Sequence, residues 1–185
     1  MGGRGGASGF GGTLSNQLAV CENRIRYDGV ETAVVLDAKG KVLIDKSDGN
    51  TNQVTIDPAD VSKLRDSVFT HNHPNGTAFS REDIETAYNC GVKIMRACHA
   101  NGFYQIERQF DLGTSVPWYY RNFGYDYAQA LDLYKTTTVD PIWNSSQQTY
   151  GDATRCNNMI NDFRKDWLRK NAAMYGWKYT DGGRT

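Results

Sequence analysis

The chain has 185 residues, 21 basic and 21 acidic, and its zero formal net charge gives no electrostatic footprint for a nucleic-acid duplex or an anionic membrane. No apolar run approaches the roughly 20 residues that span a bilayer, and the N-terminal stretch lacks the apolar segment of a secretory signal. The cysteines, Cys21, Cys90, Cys98 and Cys156, contain no Cys-x-x-Cys pair, which excludes a zinc ribbon or disulfide framework and points to reduced thiols in a cytosol, or to a phage or virion particle built there.

Residues 1–14 are Gly-rich with Arg4 as the only charge, and read as a flexible tail rather than an RNA-binding arm. Residues 14–25 fit either a short helix or a strand. Glu31 to Asp37 reads as a buried strand, residues 38–41 as a turn and Val42 to Asp45 as its hairpin partner. Gln53 to Ile56 reads as a further short strand. Asp57 then caps a helix whose first residue is Pro58 and which runs to Leu64 or Arg65. Ser67 to His73 is the next strand. A helix from Ser80 carries Ile84, Ala87 and Tyr88 and stops at Gly91. Residues 93–98 and 102–106 read as a second hairpin. The predicted class is mixed α/β, a central sheet with helices beside it.

From about Phe110 the composition turns to Tyr and Trp, and a candidate helix spans Tyr125 to Tyr134. Cys156, Met159, Ile160, Phe163, Trp167 and Leu168 recur at helical spacing, an apolar stripe expected to pack on the protein's own sheet. Residues 181–185 read as a polar tail. The division is thus a tail over 1–14, a domain over 15–110 and a mainly helical extension over 111–185 that packs on it.

The chemistry concentrates in residues 70–83. His71 and His73 stand one residue apart at a strand end, where side chains two apart share a side. Imidazole nitrogens with a carboxylate oxygen suit a borderline metal such as zinc, and Asp83 supplies the carboxylate. Three protein ligands with one open position describe a catalytic site. Ser80 and Asp83 also match a helix capping box, so coordination and capping compete for the same oxygens.

The pattern His71-x-His73-Pro74 followed by Ser80-x-x-Asp83 resembles the signature of the JAMM (MPN-plus) zinc metalloproteases, above all prokaryotic JAB domains of the RadC-like and phage-associated type. The resemblance covers roughly residues 25–108. The loop of six residues between His73 and Ser80 is one shorter than the family usually has. The resemblance implies an MPN/JAB-like fold and a Zn2+ ion on His71, His73 and Asp83. It further implies a glutamate base from an earlier strand, Glu31 with Glu22 as the rival, and Ser80 as donor to the water or the oxyanion. His99 is left out of the site, and Asn72 is read as shaping the loop.

The resemblance implies hydrolysis of a peptide or isopeptide bond, with a protein, a peptide or a ubiquitin-like conjugate as substrate. The competing expectation is a non-catalytic MPN-like module in a phage-type assembly. A RadC-like association with DNA is disfavoured by the neutral charge. Neither substrate nor oligomeric state is written in the residues.

Overall fold

A computed structural model of the chain describes residues 13–113 and 118–183. Leu14–Ile25 forms α1, whose Leu14, Leu18, Cys21 and Ile25 lie along one stripe. Thr32–Leu36 (β1) is buried at all five positions, as its unbroken apolar run requires. Val42–Ser47 (β2) pairs with it antiparallel. A 3-10 helix over Pro58–Leu64 leads to Val68–Asn72 (β3). Arg81–Asn89 (α2) crosses back to Ile94–His99 (β4), which turns into Gly102–Arg108 (β5).

Phe123–Tyr134 (α3), a π-helical turn over Lys135–Val139, Asp140–Ser145 (α4) and Tyr150–Asn171 (α5) follow. Trp177–Gly182 (β6) closes the sheet, whose order is β2-β1-β3-β4-β5-β6. Only β3 and β4 pair parallel, so the sheet is mixed. No described helix is long and apolar enough to cross a membrane.

Alternation along the central strands sorts side chains to two covered faces. Val34, Leu36, Val68 and Cys98 meet Cys21 and Ile25 of α1 on one face. Ala33, Val35, Phe69, Met95 and Ala97 join Ile84 and Ala87 of α2 and Phe123, Tyr127 and Leu131 of α3 on the other. His71 is two residues beyond Phe69 and therefore faces α2, while Thr70 and Asn72 face α1. Truncating a fully buried member such as Ile84 to Ala costs about 2–5 kcal/mol.

Several expectations are corrected. Gln53–Ile56 is no strand; Val54 and Ile56 pack on the core, but the segment has no ladder partner. The turn from Pro58 is 3-10 rather than α; Asp57 holds the N-cap position ahead of Pro58 as expected, but its side chain makes no cap hydrogen bond and accepts from Lys46. The tail expected over residues 1–14 lies outside the described residues up to 12, while Leu14 begins α1. Asp181 and Gly182, read as polar tail, are strand residues paired with Tyr104 and Phe103. The segment after 110 is thus helical with one strand. It shares the main core with the sheet: Ile160, Phe163 and Trp167 pack against it and Leu168 lies inside it.

Candidate metal centre

The β3–β4 ladder continues one residue past β3, where His73 N–H donates to Cys98 O at 2.8 Å. That extension fixes both histidines: His71 is 1% and His73 8% exposed. Their Nε2 atoms face each other at 2.9 Å. His73 Nδ1 lies 2.6 Å from Thr77 O, a pure acceptor, so Nδ1 carries the proton and donates. The lone pair of His73 is thereby left on Nε2, turned toward His71. His71 is held by the rings of Phe69 and Phe79, and its Nδ1 is buried without a partner among the described residues.

Asp83 reaches the pair from the first turn of α2. Its Oδ1 lies 3.2 Å from His71 Nε2 and its Oδ2 3.5 Å from His73 Nε2. Oδ2 also accepts from Ser80 N–H at 2.7 Å, while Asp83 N–H donates to Ser80 Oγ at 3.1 Å, which completes a capping box. Capping and site geometry therefore coexist, Oδ2 serving the helix start and Oδ1 facing His71. Ser80 Oγ accepts the cap bond and keeps its own proton for donation.

Glu31 stands one residue before β1 and is buried. Among the described residues, the ligand atoms that all lie within 4.8 Å of one another belong to Glu31, His71 and His73. This triad could hold a metal ion. The expected set took Asp83 as its carboxylate; here Asp83 stands beside both rings and Glu31 completes the close group. Glu22 lies on the opposite side of the sheet: its carboxylate accepts from Arg96 Nε at 2.6 Å and Arg96 Nη2 at 2.9 Å, and from Thr70 Oγ at 3.0 Å. It does not reach the cleft. His99 stacks on Tyr104 instead of joining the site.

The electrostatics part the two carboxyl groups. Burial pushes Glu31 above the ordinary carboxylate range, with the imidazoles pulling down and Asp83 pushing up. Burial acts on Asp83 in the same direction, but the adjacent imidazoles, His71 above all, hold it well below that range. Burial pulls His73 down, and the bond and charge of Asp83 with the Thr77 carbonyl lift it above the ordinary histidine value.

A cleft of about 250 Å³ opens on Glu31, His73, Ser80, Asp83 and Arg164. A longer groove of about 620 Å³ runs from it between residues 53–56 and α2, floored by Phe69 and walled by Val54, Ile56 and Thr86. The short loop between His73 and Ser80 is tied down on three sides. Tyr104 Oη–H donates to Gly76 O, Asn161 Oδ1 accepts from Ala78 N–H, and Tyr127 Oη–H donates to Phe79 O. Those bonds fix the loop that leads to Ser80 at the cleft.

The residues fit a metal ion. Two imidazole nitrogens and two carboxylates form a mixed nitrogen–oxygen donor set. Ligands about 2.0–2.2 Å from a tetrahedral ion stand about 3.3–3.6 Å apart; the two Nε2 atoms at 2.9 Å and Asp83 Oδ1 at 3.2 Å from His71 Nε2 lie just inside that spacing, and the ligand atoms of Glu31, His71 and His73 fall within 4.8 Å of one another. No protein-family model, curated protein or solved structure matches the chain.

Sequence reasoning missed the extent of Asn72's role. Its Oδ1 accepts from Thr32 N–H, and its Nδ2 donates to Asp28 O and Val30 O, so it holds the backbone on both sides of Glu31. The available signal was an asparagine inside a strand, where that residue type is disfavoured. Arg164 and Asn161, which reach the loop from α5, left no sequence signal.

Proposed function

We propose that the protein is a zinc-dependent peptidase or isopeptidase of the JAMM (MPN-plus) type, acting on a protein or peptide, ubiquitin-like conjugates included. The carrying observation is the close approach of two imidazoles and two carboxyl groups, those of His71, His73, Asp83 and Glu31.

His71, His73 and Asp83 would hold the zinc, which when bound supplies Lewis acidity and brings the pKa of water toward about 7. Glu31 takes the water proton on a carboxylate oxygen and returns it to the leaving amine nitrogen, a task suited to its raised pKa. Ser80 Oγ–H donates to the carbonyl oxygen as that atom gains charge. The adjoining groove seats an extended chain.

A second reading has an observation of its own. Because Glu31 lies within the close group, four protein ligands can surround one ion, and a fully protein-ligated zinc is structural. The chain is then a non-catalytic interaction module.

Glu31→Gln separates the two. Under the first reading the purified variant keeps about one zinc per chain and loses hydrolysis of a peptide library. Under the second it loses zinc and stability together, and the parent cleaves nothing.

A further inference from the structure

The cleft receives one cation from outside residues 25–108. Arg164 on α5 lines it beside Glu31, His73, Ser80 and Asp83. Its Nη1 makes a single long bond, 3.4 Å, to Ala78 O, and its Nε is buried without a hydrogen-bond partner. Arg24, Arg81, Arg96 and Arg169 each pair with a carboxylate, whereas Arg164, among the described residues, pairs with none. The site's own acids are engaged elsewhere: Asp83 with Ser80 and the two rings, Glu31 with the histidine group.

The guanidinium is also positioned. Asn161, one turn earlier on α5, accepts from Ala78 N–H at 2.6 Å, while Arg164 bonds the carbonyl of the same residue. Both backbone groups of Ala78 are thus tied to α5 two residues before Ser80. A planar donor fork with most of its N–H groups unused suits a carboxylate bound through two parallel hydrogen bonds.

Resting on the peptidase reading above, we propose that Arg164 is a specificity-determining residue that binds a substrate carboxylate close to the scissile amide. The cleft of about 250 Å³ is smaller than the roughly 300–1,000 Å³ of a drug-sized pocket. It admits little more than one residue, so the carboxylate belongs to the residue at the cleavage point or its immediate neighbour. That group is either a free α-carboxylate or an acidic side chain.

The test uses the zinc-loaded full chain and three short peptidyl hydroxamates, which anchor on a metal ion. One ends in a free α-carboxylate, one in a carboxamide, and one in a carboxamide with an aspartate side chain. Zinc content is measured for every variant. We expect one of the two carboxylate probes to bind at least about tenfold tighter than the neutral probe, and which one names the source. Arg164→Gln is expected to collapse that ratio to within about twofold, and Arg164→Lys, which keeps the charge but not the fork, to recover part of it. Equal affinities in the parent, or a ratio that survives Arg164→Gln, overturn the proposal. A parent that holds no zinc, or binds no hydroxamate at all, sinks the peptidase reading and this proposal with it.

Discussion

Asn72 Oδ1 accepts the backbone N–H of Thr32 at 2.7 Å, so a side chain set between the two site histidines grips the strand that begins beside Glu31. The same carboxamide donates to Val30 O at 3.0 Å, on the other side of Glu31. Histidines and glutamate therefore move as one unit. Asn72→Ala leaves a buried N–H and two carbonyls without this partner, at an expected cost of about 2–4 kcal/mol in urea unfolding. In the folded fraction, zinc affinity should fall less than turnover, because Glu31 is displaced more than the rings. A variant as stable as the parent would show that the contact carries no weight.

Asp83→Asn and Glu31→Gln should part company in metal content. Asp83 lies 3.2 Å from His71 Nε2 and is held anionic, so its amide variant is expected to lose at least about tenfold in zinc affinity. Glu31→Gln should retain the metal. Competition with a chromophoric chelator reads both, and the reverse order would make Glu31 the ligand.

The stripped and loaded proteins should answer pH in opposite ways. His73 is raised in the fold, so its contribution is present below its unfolded pKa and is lost as pH rises through the folded value. Asp83 is depressed, so its contribution is present above the ordinary carboxylate range and is lost only as pH falls through the lower folded value. The chelator-treated protein is therefore expected to be most stable in mild acid and to weaken toward alkaline pH. Zinc needs neutral imidazoles, so the gain in Tm on adding it should widen from about pH 5.5 to about pH 8. Melting curves with and without EDTA test this, and a gap that narrows with pH would contradict it.

Glu22 should behave as a structural acid. It is fully buried under the sheet and bonded to Arg96 through both oxygens. Arg96→Met removes both of its hydrogen bonds to that carboxylate while Thr70 Oγ and the Arg26 guanidinium stay beside it, and is expected to cost about 1.5–3 kcal/mol. Pairing it with Glu22→Gln should return part of the loss. Zinc stoichiometry should remain unchanged in whatever folds, since the network lies across the sheet from the cleft.

The sequence carried the parts governed by local rules. The capping box at Ser80, the uninterrupted apolar run of β1 and the two-residue spacing of His71 and His73 each follow from near neighbours. What depended on distant partners was hidden. Trp177–Gly182 alternates too weakly to announce a strand, and becomes one because β5 offers an open edge. Gln53–Ile56 alternates well enough to suggest a strand and finds no edge to pair with. Glu31 was separable from Glu22 only through the sheet, which puts α1 on the far face. Arg164 reaches the cleft because α5 lies across the loop ahead of Ser80, a placement no spacing rule contains.

Capping boxes ordinarily favour glutamate or glutamine at the third helical position, yet Asp83 occupies it here. A longer acid would still satisfy the amide of Ser80 but would carry its remaining oxygen beyond the rings. Aspartate alone is not the mark, since Asp152 closes the same kind of box at Thr149 ahead of α5; what Asp83 adds is an Oδ1 facing His71 at 3.2 Å. Under the metal reading, glutamate at position 83 is expected to keep the helix start and lose the contact with His71.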